Sequence, residues 1–207
     1  MSQIYLLSKT PSLDNSVVHI PIIKTKYLKA TVNIEEFDAL IFTSKEAIYA
    51  LEASCINLEN IKCICIAEKT ALIAREKKMS VIAVAKGTAQ SVASLIEERY
   101  YHDNLLFCKA SVVASNILDN FVNVHGHIVY ETLCSEQKMN YEKNSILIFT
   151  SPSSVNCFLK QNSLLNIKNI VAIGETTRSF LPKEIFVHIP LKHSVQNCIE
   201  LAKKLII

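Results

Sequence analysis

Short, unbroken apolar runs alternate along the chain with longer amphipathic segments. Residues Ala39–Phe42 and Ile146–Phe149 are typical of the runs, and Val92, Leu95 and Ile96 show the helical spacing of the longer segments. Continuous apolar strands are typical of a parallel sheet that is covered on both faces. The alternation therefore predicts an α/β fold with doubly wound sheets and right-handed crossovers. Further strands are predicted at residues 4–7, 81–84, 105–108, 170–173 and 185–187.

An internal repeat recurs at roughly half the length of the chain. The segment Ile41-Phe42-Thr43-Ser44 returns as Ile148-Phe149-Thr150-Ser151, and a helical pattern follows each copy. Further along, Ile66-Ala67-Glu68-Lys69-Thr70 corresponds to Ile173-Gly174-Glu175-Thr176-Thr177. The shared order and nearly constant offset indicate two similar α/β units.

Two segments rich in β-branched residues, 18–27 and 127–133, lie outside the repeated units. We predict that they pair as a two-stranded ladder that joins the units. The first strand then belongs with the last third of the chain, and the first repeat is an inserted domain. The predicted parts are a discontinuous domain of residues 1–24 and 134–207, an inserted domain of residues 31–127, and a connecting β-ladder of residues 18–30 and 127–133.

Composition narrows the classes of function. The chain has 207 residues, of which 50% are hydrophobic, so it can bury a substantial core. A formal net charge of +3 without a dense basic run does not favour nucleic acid and suits a small anionic ligand. With only three glycines, the chain cannot form a P-loop or a GxGxxG turn. An enzyme without these motifs would work mainly by orienting a reactive substrate.

The seven cysteines form no CxxC pair. Cys63 and Cys65 face the same way on a predicted strand, but no further ligands stand at a zinc-like spacing, so we predict reduced core cysteines. The segment His125-Gly126-His127 is interpreted as a turn rather than a ligand pair. Reduced cysteines, together with an amino end that does not resemble a signal peptide, predict a cytoplasmic location without a membrane span.

Candidate binding residues stand where predicted strands lead into helices, which is where ligands bind in open α/β sheets. Thr43-Ser44 and Thr150-Ser151 occupy two such turns, and Thr70 and Thr176-Thr177 follow the next strands. Their hydroxyls and the helix amino ends would attract carboxylates or phosphates. From these residues alone, a ligand-binding cleft between two lobes and simple helix capping are equally supported.

The capping interpretation rests on two specific patterns. Thr43 with Glu46 three residues later fits a capping box. Ser151 followed by Pro152 fits an N-cap with proline at the first helical position.

Five segments in order along the chain resemble the uroporphyrinogen-III synthase family. They match its two "FTS…V" segments, its "IGxTT" segment, its "G…V…Y.T" segment and its amino-terminal "hxPxi" strand. In this chain they are residues 42–48, 149–155, 173–177, 126–132 and 19–22. The chain departs from the family at Lys9, where the family usually has an arginine, and at Ala67, where it has a glycine.

The resemblance implies two flavodoxin-like, doubly wound parallel-sheet domains joined by a two-stranded β-ladder. It also implies a lyase that cyclises hydroxymethylbilane, a linear tetrapyrrole rich in carboxylates, to uroporphyrinogen III. The reaction loses the terminal hydroxyl as water, forms an azafulvene-type cation and inverts the last pyrrole ring. No metal or organic cofactor, nucleic acid or membrane is implied. We expect a monomer that makes at most a transient contact with the preceding enzyme of the pathway.

The resemblance also implies roles for particular residues. Tyr130 is the expected catalytic residue, as a proton donor or water-orienting group for departure of the hydroxyl; the alternative is a tyrosine that only packs at a domain junction. The expected substrate-binding residues are Lys9, Thr43, Ser44, Thr70, Thr150, Ser151, Ser153, Thr176 and Thr177.

Two other functions stay open on the sequence. One is a non-enzymatic two-lobed protein that binds or senses a small anion. The other is a flavin-binding protein whose Thr/Ser turns hold a phosphate; the absence of tryptophan and the duplicated architecture make it the less favoured of the two.

Overall fold

A computed structural model of the chain describes residues 2–135, 141–142, 144–165 and 167–206. Within this part the strands are β1 (Ile4–Leu7), β2 (Val17–Ile20), β3 (Ile23–Tyr27), β4 (Ala39–Phe42), β5 (Lys62–Cys65), β6 (Ser80–Val84), β7 (Leu105–Ala110), β8 (Val124–Cys134), β9 (Ile146–Phe149) and β10 (Asn169–Ala172). The α-helices there are α1 (Lys45–Ala53), α2 (Glu68–Glu76), α3 (Ala89–Arg99), α4 (Pro152–Gln161), α5 (Glu175–Arg178) and α6 (Val195–Lys204). The fold is α/β with parallel sheets, as predicted.

Residue contacts divide the chain into two compact units. Unit 1 comprises Met1–Lys24 and Leu133–Ile207, and unit 2 comprises Thr25–Thr132. The division of the chain into the predicted domains, with their bounds, stays a prediction.

The sheet of unit 2 has the strand order β3-β8-β7-β4-β5-β6, in which β8 through β6 are parallel. Strand β4 is apolar throughout and buried on both faces, as a central parallel strand requires. Helices α1 and α2 cover one face with a cluster that includes Phe42 and Leu51, and α3 covers the other with a cluster that includes Ile41 and Ile96. The chain therefore winds on both faces of the sheet.

The chain reverses its direction across this sheet at β4. It first moves outward through β5 and β6 and then returns to the other side of β4 to form β7 and β8. Right-handed crossovers place the connecting helices on opposite faces on the two sides of such a reversal, and a crevice opens at the carboxyl ends of the two strands there. In unit 2 these strand ends are those of β4 and β7.

Unit 1 has the same arrangement of parallel strands with a reversal of direction, but its sheet has fewer strands. Its sheet has the order β10-β9-β1-β2, all parallel, with the reversal between β1 and β9. Phe149 and Phe158 pack on the α4 face, edge to face at 5.4 Å between ring centroids, while Ile199 packs on the α6 face. The strand predicted at residues 185–187 is reduced to a single bridge between His188 and Val171.

Strands β3 and β8 pair and carry the chain from one unit to the other. Backbone hydrogen bonds run from Ser135 N–H to the Ile22 carbonyl and from Leu28 N–H to the Val129 carbonyl, so the two strands are antiparallel. This ladder is shorter than predicted, because Val17–Ile20 pairs instead with β1 in the sheet of unit 1. The prediction of a turn at His125-Gly126-His127 is also wrong, because this segment lies inside β8.

Four cysteines match the prediction of reduced core residues, but three do not: Cys55 is free but exposed, and two others form a disulfide. Cys63 and Cys65 are buried, free and on one side of β5, with 3.9 Å between their sulfur atoms. Cys134, at the end of β8, forms a disulfide with Cys157 in α4, with a Cα–Cα distance of 5.1 Å. The prediction that all the cysteines are reduced is therefore wrong. The error arises because β8 and α4 bring together two residues that are far apart in sequence.

None of the helices in the described part of the chain is long and apolar enough to cross a membrane.

The disulfide predicts a redox-dependent stability. Cross-linking residues 23 positions apart restricts the unfolded chain, which stabilises the folded state by about 3 kcal/mol. Reductant should therefore lower the free energy of unfolding of the oxidised protein by about that amount, measured by urea denaturation. The control is Cys157→Ala, whose denaturation midpoint should not respond to reductant. Equal midpoints for the wild-type protein with and without reductant would contradict the prediction.

Candidate functional site

In unit 2, Ser44 lies just beyond the carboxyl end of β4, and Tyr130, within β8, lies level with the carboxyl end of β7. Phe42 pairs with Cys108, and two residues further along β7 Ala110 pairs with Tyr130. Ser44 stands two residues beyond Phe42, so it reaches the level of Tyr130. The predicted catalytic tyrosine and a predicted binding residue therefore lie near the crevice at β4 and β7, but Tyr130 is buried in the apolar cluster that includes Phe42 and Leu51. Thr43, between Phe42 and Ser44, is half-buried at the same edge.

Helix α1 begins one residue later than the sequence indicated. Its N-cap is Ser44, whose hydroxyl accepts a hydrogen bond from Glu46 N–H at 3.2 Å. The predicted capping box of Thr43 and Glu46 is therefore wrong. The Glu46 carboxylate instead accepts a hydrogen bond from the Tyr27 hydroxyl at 3.0 Å.

Tyr27 lies opposite Tyr130 on the β3–β8 ladder. The backbone hydrogen bonds of the ladder pair Leu28 with Val129 and Ile22 with Ser135. In the antiparallel register that both bonds define, residue 27 stands opposite residue 130. It also pairs Lys26 with Glu131, whose charged groups are 3.6 Å apart. Directly opposed residues project to the same side of a sheet, so Tyr27 and Tyr130 share a face. Sequence reasoning missed Tyr27 and Glu46, because it did not fix the register of the ladder.

The Tyr130 side chain is 8% exposed. Burial raises the pKa of its phenol, hydrogen bonding by the Ser44 hydroxyl to the phenol oxygen lowers it, and the negative charge of Glu46 raises it further. The net effect raises the pKa, so the phenol stays protonated at neutral pH. For Tyr27, burial and then the Glu46 carboxylate raise the pKa to about 12. Both phenols therefore keep their hydrogens at neutral pH, and Tyr27 donates its own to Glu46.

The other predicted residue of unit 2, Thr70, is less available to a ligand. It lies in the first turn of α2 and is 6% exposed, and its N–H bonds the Ala67 carbonyl at 3.0 Å. Ala67 is the N-cap of α2 and provides no side-chain cap.

In unit 1, the predicted residues at the end of β9 are held by local hydrogen bonds. The Thr150 hydroxyl donates to the Leu7 carbonyl at 3.1 Å, which ties the end of β9 to the end of β1. Ser151 is the N-cap of α4, with Pro152 in the first turn and a reciprocal capping box with Ser154. Ser153 is half-buried in the same turn. Capping by Ser151 agrees with the prediction.

Lys9 lies at the adjoining strand end, directly after β1. The turn that carries it is fixed by the Ser8 hydroxyl, which donates to the Thr10 carbonyl at 2.6 Å, and by the His19 ring, 3.1 Å from the Ser8 carbonyl. Lys9 is exposed, and it follows the strand at which the direction of unit 1 reverses. Its role as a carboxylate partner stays a prediction.

Two further predicted residues lie in the short helix α5. Thr176 is exposed, whereas Thr177 is 3% exposed and presents little surface to a ligand. Gly174, immediately before the helix, has the His193 ring packed against it, so that a Cβ there would stand 3.2 Å from Nδ1.

The described residues contain no group of three or more His, Cys, Asp or Glu side chains that could hold a metal ion.

Comparisons with known proteins agree on one family. The model of the family "Uroporphyrinogen-III synthase HemD" matches residues 10–200. The chain is similar to the crystal structure of uroporphyrinogen-III synthetase from Helicobacter pylori 26695, with 25% identity and a TM-score of 0.79 over 99% of this chain and 100% of that one. A mutant uroporphyrinogen III synthase from the extremely thermophilic bacterium Thermus thermophilus has the same fold, with 12% identity and a TM-score of 0.61 over 99% of this chain and 98% of that one.

No curated protein matches the chain. The family match nevertheless spans nearly its whole length, and the resemblance of the five segments predicted the same result. The chain belongs to the uroporphyrinogen-III synthase family.

Proposed function

We propose that this chain closes hydroxymethylbilane to uroporphyrinogen III and that Tyr130 assists the departure of the terminal hydroxyl. The reaction is that of its family, a cyclising lyase reaction. The observation that supports the role of Tyr130 is its position: a protonated phenol stands on β8, level with the carboxyl end of β7, and thus near the edge of the sheet at which α/β proteins bind ligands.

The proposed first step breaks the bond between the terminal carbon and its hydroxyl oxygen. The bonding electron pair leaves with the oxygen, which takes the Tyr130 proton and departs as water. The carbon and the attached pyrrole are left as an azafulvene-type cation. After the ring closes with inversion of the last pyrrole, a proton lost from the tetrapyrrole returns to Tyr130. Tyr130 is thereby protonated again at the end of the cycle.

The hydrogen bond from Ser44 supports this role. The Ser44 oxygen accepts from Glu46 N–H, so its own hydrogen is available for the Tyr130 oxygen. Tyr130 then keeps its hydrogen for the substrate. A chain of donors that all point one way is polarised and strengthens its last bond. Ser44 is thus proposed to position Tyr130 in addition to any direct contact with substrate.

The remaining predicted residues are proposed to hold the acetate and propionate groups. Ser151, at the amino end of α4, and Lys9 combine helix N–H groups with a positive charge, which suits carboxylates. Thr43, Ser153 and Thr176 present partly or fully exposed hydroxyls at strand ends. The burial of Thr70 and Thr177 makes them the least favoured members of the set.

The partners and the location of the protein are also proposals. The substrate is a small molecule, and we propose a monomer that meets the preceding enzyme of the pathway only transiently. The cytoplasmic location was predicted partly from reduced cysteines, and the Cys134–Cys157 disulfide removes that part of its support. The proposal of a cytoplasmic location is now supported only by the type of reaction that the protein is proposed to catalyse.

The first test is the identity of the product isomer. Purified protein supplied with hydroxymethylbilane should give mainly the type III porphyrin after oxidation, resolved by chromatography, because ring inversion requires the enzyme. A sample without protein should give the symmetric type I isomer by spontaneous closure. If folded protein gave only type I, the synthase proposal would be wrong and a two-lobed anion-binding protein would take its place.

The second test is Tyr130→Phe. This change removes the proposed proton donor but keeps the ring, so the rate of type III formation should fall by about a hundredfold, in the range of a lost general acid. Thermal unfolding should change little. Tyr5→Phe, a buried tyrosine in β1 of unit 1, is the matched control and should retain wild-type turnover. Unchanged turnover in Tyr130→Phe would remove the tyrosine from the mechanism.

A further inference from the structure

The imidazole of His193 lies at the carboxyl end of the unit 1 sheet, and no role has yet been given to it. The chain runs parallel to β10 where His188 pairs with Val171, so it continues toward the carboxyl ends of the strands before α6 begins. His193 directly precedes Ser194, the N-cap of α6. It is exposed, and it is the central residue of a tight turn in which the Ser194 N–H bonds the Lys192 carbonyl at 2.9 Å.

The residue on which this ring packs, Gly174, is level with a proposed binding residue. Phe149 pairs with the last residue of β10, and Ser151 and Gly174 each stand two residues further along their own strand. The Ile173 N–H bonds the Phe149 carbonyl at 3.0 Å, which holds the two segments together beyond the strand ends. Neighbouring strands lie about 4.8 Å apart. The His193 ring is therefore about one strand away from the N-cap of α4.

Gly174 makes room for the ring. Its φ of −175° is extended backbone that any residue can adopt, so the conformation of the chain does not require a glycine there. The three atoms nearest to an added Cβ all belong to His193, with Nδ1 at 3.2 Å and Cε1 at 3.4 Å. These distances are shorter than the roughly 3.5–4.0 Å of an optimal contact. A side chain at residue 174 would therefore push the imidazole away from the strand end.

An imidazole at this position suits the proposed substrate, which is rich in carboxylates. A neutral imidazole has one N–H donor and the protonated ring has two, so His193 can donate to a carboxylate oxygen in either state. Such a hydrogen bond is charge-assisted and stronger than one between neutral groups. The amino end of α4, with its N-cap Ser151, is proposed to hold one carboxylate. A donor about one strand away is placed to hold another.

We infer that the His193 imidazole, packed on Gly174, binds a carboxylate of the substrate in unit 1. The inference rests on the proposed function and adds a residue that no sequence motif marks. A carboxylate side chain keeps its charge throughout the proposed reaction, so this contact is equally strong in the bound substrate and in the transition state. It should therefore lower KM and leave kcat nearly unchanged.

The test begins with His193→Ala, which removes the ring and keeps the backbone bond of the turn. We expect KM for hydroxymethylbilane to rise about tenfold and kcat to stay within about twofold of wild type. A second measurement needs no turnover: the dissociation constant of the type III porphyrin, measured by isothermal titration calorimetry, should rise by a similar factor.

His102→Ala is the matched control. His102 is also an exposed histidine, but it lies between α3 and β7, at the amino end of β7 in unit 2. Ligands of α/β sheets bind at the opposite ends of the strands. Both KM and the dissociation constant should therefore stay at their wild-type values. The thermal unfolding temperature of each histidine variant, compared with that of the wild-type protein, confirms that the fold is intact.

Gly174→Ala tests the contact with the ring. The added methyl group should displace the imidazole and raise KM about fivefold, because it would stand 3.2 Å from Nδ1. In the His193→Ala background the same change should add nothing, because the ring is already absent. If Gly174 instead made room for the substrate itself, the effects of the two changes on KM would multiply.

The outcomes separate the inference from the function on which it rests. A raised KM and dissociation constant in His193→Ala, with no further effect of Gly174→Ala, support the inference. Wild-type values of both constants in His193→Ala overturn it, and multiplied effects in the double variant overturn the part assigned to Gly174. In these cases type III product from the wild-type protein keeps the synthase function in place. Absence of that product overturns the synthase function itself.

Discussion

The parallel pairing of β4 with β7 is the interaction on which the arrangement of unit 2 depends. Because the chain passes outward from β4 and then returns to its other side, the carboxyl ends of the two strands flank a crevice and α1 begins beside it. The pairing of β1 with β9 plays the same part in unit 1. Both pairings hold because the strands are apolar and buried, so a change of register would expose backbone groups that only the neighbouring strand can satisfy.

The strand-to-helix turns serve stability and chemistry with the same atoms. Ser44 illustrates this: its oxygen satisfies a backbone N–H at the start of α1, and the same hydroxyl lowers the pKa of the neighbouring Tyr130 phenol. Ser151 likewise caps α4. The choice between a cap and a binding residue, which the sequence left open, is therefore not a strict alternative at Ser44, because a hydroxyl can accept one hydrogen bond and donate another.

The sequence was sufficient for the α/β fold, the internal repeat and most strands, because buried parallel strands have a continuous apolar pattern. It was insufficient where the structure depends on contacts between residues that are far apart in the sequence. Cys134 and Cys157 meet only because β8 ends beside α4. Tyr27 and Glu46 could not be recognised as neighbours of Tyr130 without the register of β3 against β8. The N-cap of α1 is Ser44 rather than Thr43, so the Glu46 side chain takes no part in a capping box and bonds Tyr27 instead. Capping patterns do not locate the end of a helix to within one residue.

The pairing of β1 with β9 also governs the order of events during synthesis. Ile4 lies opposite Ile146, so β1 acquires this neighbour only after all the residues up to β9 have been made. Strand β2 can pair with β1 early, but two strands without a covering layer are marginal in water. The fully apolar β1 thus waits for its partner, whereas unit 2 is formed by one continuous stretch of the chain. During that interval β1 is the segment of the nascent chain most in need of protection from aggregation.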